Sequence, residues 1–292
     1  MPGASAGCTQ GWLSVPIWEF SLVIWLGSLL AGLLGSLTGL GGGVVIVPLL
    51  TLGFGVDIRY AIGASLISVI ATSSGAAVAY VREGFSNIRV GMLLEIATTL
   101  GATGGALLAA HVAPHIIAVI FGAVLISSVY FSVKGPSQNG ANGSPDPLAS
   151  RLRLDSQYPA RDGLRAYHVR SVPVGFGLMG VAGLLSGLLG IGSGALKVLA
   201  MDQAMRLPFK VSTTTSNFMI GVTAAASAGI YLNRGYVDPG LAMPTMLGAL
   251  VGSLTGARIL AGARTKWLRW VFGAVILALG VEMISNGLSG RI

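Results

Sequence analysis

Lys197 is the one basic residue that stands well inside an apolar stretch, GALKVLAM, and its surroundings define the chemistry open to it. An ammonium in hydrocarbon is costly unless it is paired or used, so its default meaning is a substrate or ion pathway. Just before it runs Leu189-Gly190-Ile191-Gly192-Ser193-Gly194. Closely spaced glycines break a membrane helix, and such a break survives only where its freed backbone groups are buried in protein or line a wet cavity. The half-helix that restarts after it offers unpaired N–H groups and a positive dipole end, which suit an anion. A cation beside free N–H donors therefore points to a small anion, held by Gly192, Ser193, Gly194 and Lys197. The competing reading pairs Lys197 with Asp202 as a structural salt bridge, although a spacing of five puts the two on poorly matched helix faces.

The same pattern occurs earlier as Thr38-Gly39-Leu40-Gly41-Gly42-Gly43, which adds Gly41, Gly42 and Gly43 to the candidate site. Valine at Gly42 or Gly192 is expected to abolish function by filling the backbone cradle, unless the clusters serve only close helix packing. After each cluster comes a helix that opens with small polar residues. Ser65, Ser68, Thr72, Ser73 and Ser74 stand in the first, and Ser212 to Asn217 in the second. Hydroxyl and amide donors such as Ser65, Ser216 and Asn217 can replace an oxyanion's hydration without a fixed charge, which permits release as well as binding. Helix capping and interhelical hydrogen bonding account better for any one of them, and only the cluster points to an anion. Glu95 and Asp202 are the acids placed to carry a coupling proton, while Glu95 also fits an interfacial place near Arg89. Ser193 with Lys197 one turn later would fit a Ser/Lys hydrolase dyad. A Ser/His intramembrane protease is excluded, because His111, His115 and His168 all lie outside the apolar spans. No cofactor or metal site is expected.

These residues need elements to position them, and the chain supplies them twice. Ala31-Gly32-Leu33-Leu34 returns 151 positions on as Ala182-Gly183-Leu184-Leu185, and Phe121-Gly122-Ala123-Val124 returns as Phe272-Gly273-Ala274-Val275. Such a duplication in a very apolar chain is the signature of a secondary transporter. Apolar stretches long enough to cross the bilayer run from Ile17 to Leu40, Tyr60 to Val81, Val90 to Ala109, His115 to Val133, Val172 to Ile191, Val211 to Leu232, Leu241 to Ala261 and Trp267 to Ile284. Two shorter pieces, Val44 to Gly55 and Ala195 to Leu207, follow the glycine clusters. The expected fold is an all-α polytopic membrane protein of two tandem, inverted repeats. Each has four full transmembrane helices and one short broken helix. The parts are a tail at 1–16, a first repeat at 17–134, a flexible then basic linker at 135–170, a second repeat at 171–288 and a tail at 289–292.

The basic residues set the expected orientation. With five crossings per half and the N-terminus outside, fourteen fall on the cytoplasmic side, eight of them from Arg82 to Arg170, and only Arg59, Arg234 and Arg291 face out. Four crossings per half give a poorer split of ten against seven. The positive-inside rule thus favours five, and with five the repeats are inverted.

Composition narrows the class further. Of 292 residues 53% are hydrophobic, 10% are charged and 44 are glycine, too little polar surface for a soluble domain. The pI of 10.1 comes from basic residues between apolar spans, so the partner is the lipid bilayer and no nucleic acid is expected. The other partner is a small inorganic or organic anion, and a homo-oligomer is left open. A single cysteine, Cys8, rules out an intrachain disulfide. No P-loop is present, which leaves ion or substrate gradients or a partner ATPase as energy source.

GLLGSLTGLGGGVVIVPLL and GLLSGLLGIGSGALKVLAM, in two tandem halves, resemble the two signature segments of the sulfite exporter TauE/SafE (TSUP) family of membrane transporters. The likeness covers nearly the whole membrane region. It implies export of sulfite, organosulfonates or related sulfur-containing anions across the inner membrane. Ser193 replaces the middle glycine of the second segment and Leu199 stands where the first has Pro48, so the glycine-proline arrangement is intact once.

Overall fold

The computed structural model describes residues 17–38, 42–82, 86–134, 146–160, 163–260 and 265–290. The first half folds as α1 (Ile17–Thr38), α2 (Gly43–Pro48), α3 (Ile58–Arg82), α4 (Ile88–Leu108) and α5 (Pro114–Lys134). The second folds as α7 (Val172–Leu189), α8 (Gly194–Leu199), α9 (Phe209–Asn233), α10 (Pro239–Leu260) and α11 (Thr265–Leu288). Among the described residues each apolar stretch named above is helical apart from a few positions at its ends. By length and composition α4 and α7 each suffice to cross a membrane, and Trp18–Leu33, Ile58–Ser74, Pro114–Val129 and Gly273–Leu288 are shorter apolar runs within α1, α3, α5 and α11.

The polarity of α4 runs opposite to that of a soluble helix. Met92, Ile96 and Leu100, four apart, are 63%, 57% and 70% exposed, whereas Glu95, Thr98 and the small Ala97 and Ala102 face inward. An exposed apolar stripe over a polar interior is the pattern lipid demands.

The short pieces share a form. Six α-helical residues, Gly43–Pro48 or Gly194–Leu199, widen into five π-helical ones, Leu49–Gly53 or Ala200–Ala204. Pro48 is not the cause of the widening, since Leu199 occupies the matching place and the π turn forms there too. At about 1.5 Å per residue each piece reaches only about 17 Å, roughly half a bilayer core.

Helices pair across the halves: α1 packs on α10 and α7 on α4, α3 also lies on α10 and α9 on α4, and α3–α9 and α5–α11 meet at the centre. Lipid gives helices no hydrophobic reason to associate, so the contact must come from close backbone approach through small residues. A Cβ on Gly101 or Gly105 of α4 would collide with the carbonyl of Gly180 or Leu184, and one on Gly183 or Gly187 of α7 with that of Thr98 or Ala102. Gly32, Gly248 and Gly252 do the same between α1 and α10. Gly105→Val is accordingly expected to lose about 3 kcal/mol or more, by forcing the helices apart. Size-exclusion and thermal melting in detergent would register it, and a wild-type melt would refute this packing account.

The basic segment after the linker folds into a small cap: a short helix α6 (Pro147–Arg151) and an antiparallel hairpin of β1 (Ser156–Ala160) and β2 (Gly163–Tyr167). Asp146 ties its two ends, accepting from Leu148 N at 2.9 Å and from Val172 N at 3.1 Å. Asn87, just before α4, donates to the Leu154 carbonyl at 2.9 Å and to the Tyr167 hydroxyl at 2.8 Å. Burial pushes the Tyr167 phenol up from its ordinary value, so it serves as a neutral partner. Arg170 N closes the cap onto the Met205 carbonyl behind the second π turn, at 3.1 Å. Buried Ala149, Leu154, Tyr167 and Val169 form its core, and the burial of those side chains is why the segment orders despite its charge.

Candidate functional site

The second glycine break is held by left-handed backbone. Gly190 and Gly192 have φ of 67° and 74°, and Ser193 follows at 46°. Ser65 of α3 donates to the Gly190 carbonyl at 2.8 Å, and Ser216 of α9 donates to that of Gly194 at 3.3 Å. These bonds satisfy backbone acceptors the break has freed. A Cβ on Gly192 would come within 2.8 Å of Ile220 Cγ2 and 3.1 Å of Val69 Cγ1. The break is thus wedged between α3 and α9. Gly43 opens the first half-helix beside it, with room for a Cβ denied by Ser65 Oγ at 2.7 Å and the Gly190 carbonyl at 2.9 Å. The start of α2 and the end of α7 therefore meet at Ser65. Gly42 is the buried residue before α2, and Gly41 lies outside the described residues.

One turn into α8 stands Lys197, fully buried. Its Nζ donates to Thr223 Oγ1 at 2.5 Å, and Thr223 Oγ1 lies 2.7 Å from Glu95 Oε1 in donating position. Thr223 is likewise fully buried, and Glu95 is 8% exposed. Thr99 donates to Glu95 Oε1 at 3.3 Å, while Oε2 is buried with no hydrogen-bond partner among the described residues. An ammonium and a carboxylate are thus linked through one hydroxyl, in a place where either charge alone would cost several kcal/mol. Glu95 comes from the first half, Lys197 and Thr223 from the second.

This overturns two sequence readings. The group that Lys197 bonds is Thr223, and the acid that faces it is Glu95 rather than Asp202. Asp202 is buried on the π turn, where it accepts from Gln203 Nε2 at 3.2 Å. Glu95 is not at an interface beside Arg89, whose guanidinium instead donates to the Arg153 carbonyl in the cap, at 3.1 Å. Nor is the Ser/Lys dyad assembled. Ser193 Oγ is buried and has no hydrogen-bond partner among the described residues, Lys197 included.

The hydroxyl clusters divide. Ser68, Thr72, Ser73 and Ser74 return their hydrogen bonds to carbonyls of their own helix, as do Thr213 and Thr214. Ser65, Ser216 and Thr223 reach the breaks and the charges, and Asn217 is buried on α9. Thr223 stands at the 151-position match of Thr72 and was not singled out from the sequence. The signal available was one acid and one base deep in apolar helices of opposite halves, each needing a partner. The positions matching Lys197, Thr223 and Glu95 in the repeat are Ile46, Thr72 and Met246, so the charged unit occurs once.

An apolar cleft of 330 Å³ opens between α7 and α8, bounded by Leu178, Val181, Leu185, Leu199 and Gln203. None of the charged unit lines it. Lys197 is sealed from solvent, so an ion can reach it only if the surrounding helices part.

Comparison with known proteins matches residues 24–283 to the family described as sulfite exporter TauE/SafE. The chain is similar to the probable membrane transporter protein YunE of Bacillus subtilis (strain 168), at 30% identity over 92% of this chain and 99% of that one. It is also similar to YdhB of the same strain, a probable membrane transporter protein, at 25% over 81% and 89%. A probable membrane transporter protein of Methanocaldococcus jannaschii is 25% identical over 87% and 92%. No solved structure matches the chain significantly.

Proposed function

The chain belongs to the sulfite exporter TauE/SafE family of membrane transporters, and from this we propose that it is a secondary transporter that exports a small sulfur-containing oxyanion, sulfite or an organosulfonate, by alternating access. The observation that carries the anion reading is Lys197, a buried ammonium bonded to a neutral hydroxyl beside two helix breaks. A direct salt bridge would be a structural end in itself. A hydroxyl-spaced charge can exchange one negative partner for another at low energy.

The pairing of helices across the halves supports two inverted repeats about a shared central site, with five crossings in each. In this arrangement the cap is cytoplasmic and both termini face out, across the inner membrane of a cell. Single cysteines placed in a Cys8→Ser background test it, since labelling of the cap from outside contradicts the orientation. An inside-negative potential of 100 mV assists export by about 2.3 kcal/mol for each uncompensated charge.

Uptake by proteoliposomes of purified protein, screened against sulfite, sulfate, thiosulfate and organosulfonates, tests the substrate. Sulfite or a sulfonate should enter well above protein-free vesicles. Transport of none of them sinks the proposal, and selective transport of another anion relocates it within the same class. Ser193→Ala is expected to stay within about twofold of wild-type uptake, because it removes a buried hydroxyl that has no partner. Loss of all activity in that variant would revive the hydrolase alternative.

A further inference from the structure

Lys197 and Glu95 neutralise each other while the site holds no anion, and an incoming oxyanion would bring a second negative charge to one ammonium. Two anionic groups facing a single buried cation leave one charge uncompensated in a medium that tolerates none. One of the two must give up its charge, and Glu95 is the one that can accept a proton. We propose that Glu95 is a built-in competitor for the anion: it holds Lys197 through Thr223 in the empty carrier, and uptake of one proton at its unpartnered Oε2 releases the lysine to a monovalent oxyanion. The inference rests on the reading of Lys197 as the anion's counter-charge.

Among the described residues the surroundings leave Lys197 as the charge that faces Glu95. α7 and α9 pack on α4, and α7 carries no ionisable side chain. On α9 Lys210 sits in the first turn and Tyr231 in the last, its hydroxyl committed to the Gly187 and Leu188 carbonyls at 3.2 and 3.3 Å. Arg234, just past α9, reaches the Ala106 and Leu107 carbonyls at the far end of α4. On α4 itself Arg89 is turned to the cap. Asp202, on the turn after α8, is bonded by Gln203.

The charge balance closes. The empty site contains Lys197 as ammonium and Glu95 as carboxylate; the loaded site contains Lys197 as ammonium, Glu95 as acid and one monoanion. Both are neutral. Each cycle thus moves one proton and one anion together, electroneutrally, and the direction follows the sum of the two gradients. A pH difference of one unit then sustains up to about tenfold accumulation of the anion on the alkaline side, so export proceeds only while the outward anion gradient exceeds the inward proton gradient. Anion binding is strong at low pH and is lost as pH rises and the Glu95 carboxylate returns to Thr223.

The test uses the full-length protein in proteoliposomes with the membrane potential clamped by potassium and valinomycin. Sulfite and methanesulfonate are the probes; the sulfonate has no proton of its own to lose, so any proton that accompanies it is carried by the protein. Wild type should accumulate the anion when the outside is acid and acidify the lumen in step. Glu95→Gln imitates the protonated acid permanently. It should keep anion-for-anion exchange, now insensitive to pH, and lose both gradient-driven accumulation and proton movement. Accumulation by Glu95→Gln equal to wild type overturns the proposal and leaves the anion site standing. Wild-type vesicles that exchange neither probe overturn the anion site and the proposal with it. Should Glu95→Gln fail to fold, Glu95→Asp decides. A coupling carboxylate moved back by one methylene shifts the pH midpoint of exchange, whereas an unmoved midpoint overturns the proposal.

Discussion

Lys197→Gln is expected to reduce anion uptake about 100-fold or more, equivalent to ~2.7 kcal/mol of lost stabilisation. Glutamine keeps nearly the same length and still offers a donor to Thr223, so the packing survives and the charge alone is removed. The loss has a second face. Glu95 is then a buried carboxylate with no counter-charge, a situation that destabilises by about 3–5 kcal/mol unless the group takes a proton. The variant should therefore melt lower than wild type at alkaline pH and approach it as pH falls. Adding Glu95→Gln should restore the alkaline melt without restoring transport. Detergent melting curves and uptake assays on the single and double variants separate these effects. Normal uptake by Lys197→Gln would remove the ammonium from the mechanism altogether.

Gly192→Val is the second large effect. At φ 74° a β-branched side chain is strained by roughly 1–2 kcal/mol or more. Its Cβ also meets Ile220 and Val69 at 2.8 and 3.1 Å, adding overpacking of about 1–3 kcal/mol. Together these displace α8, and Lys197 with it, so transport should fall to background. Here the structure separates two positions that the sequence treats alike. Gly42 has an ordinary helical φ of −67°, and a Cβ there would find its nearest neighbours at 3.5 Å. Gly42→Ala should therefore transport, and only Gly192→Ala should not. Equal activity in the two alanine variants would show that backbone conformation at the second break is dispensable.

Which parts of this molecule sequence can foretell follows from the range of the forces involved. The apolar runs declared themselves as helices, because bilayer thickness and backbone satisfaction act on each segment locally. The breaks were legible for the same reason, glycine being a local signal. The π turns were not, since Leu199 and Pro48 both permit them. The fold of the cap was not legible, because its charged residues outnumber the four side chains that form its core. Lys197 was recognised as a problem from its own segment, but its solution lies on α4 and α9. Nearness of Glu95 to Thr223 is a tertiary fact, set by the glycine-lined approach of α4 to its neighbours. Asp202 entered as a competing partner through nearness in sequence, although a spacing of five mismatches the helix faces.

The exchange of helices between the halves also governs how the protein must be made. α1 is among the first segments to reach the membrane, yet the surface that accepts Gly32 belongs to α10, which ends at Leu260. With roughly 200 residues between them, at ~5–20 residues per second, α1 waits about 10–40 s beside the ribosome with its glycine face bare. α4 and α7 are closer in the chain and meet much sooner. Assembly therefore starts in the middle of the sequence, and α1 and α5 must wait for α10 and α11. A nascent chain cut short before α10 would expose that face to quality control, however well its first four helices had formed.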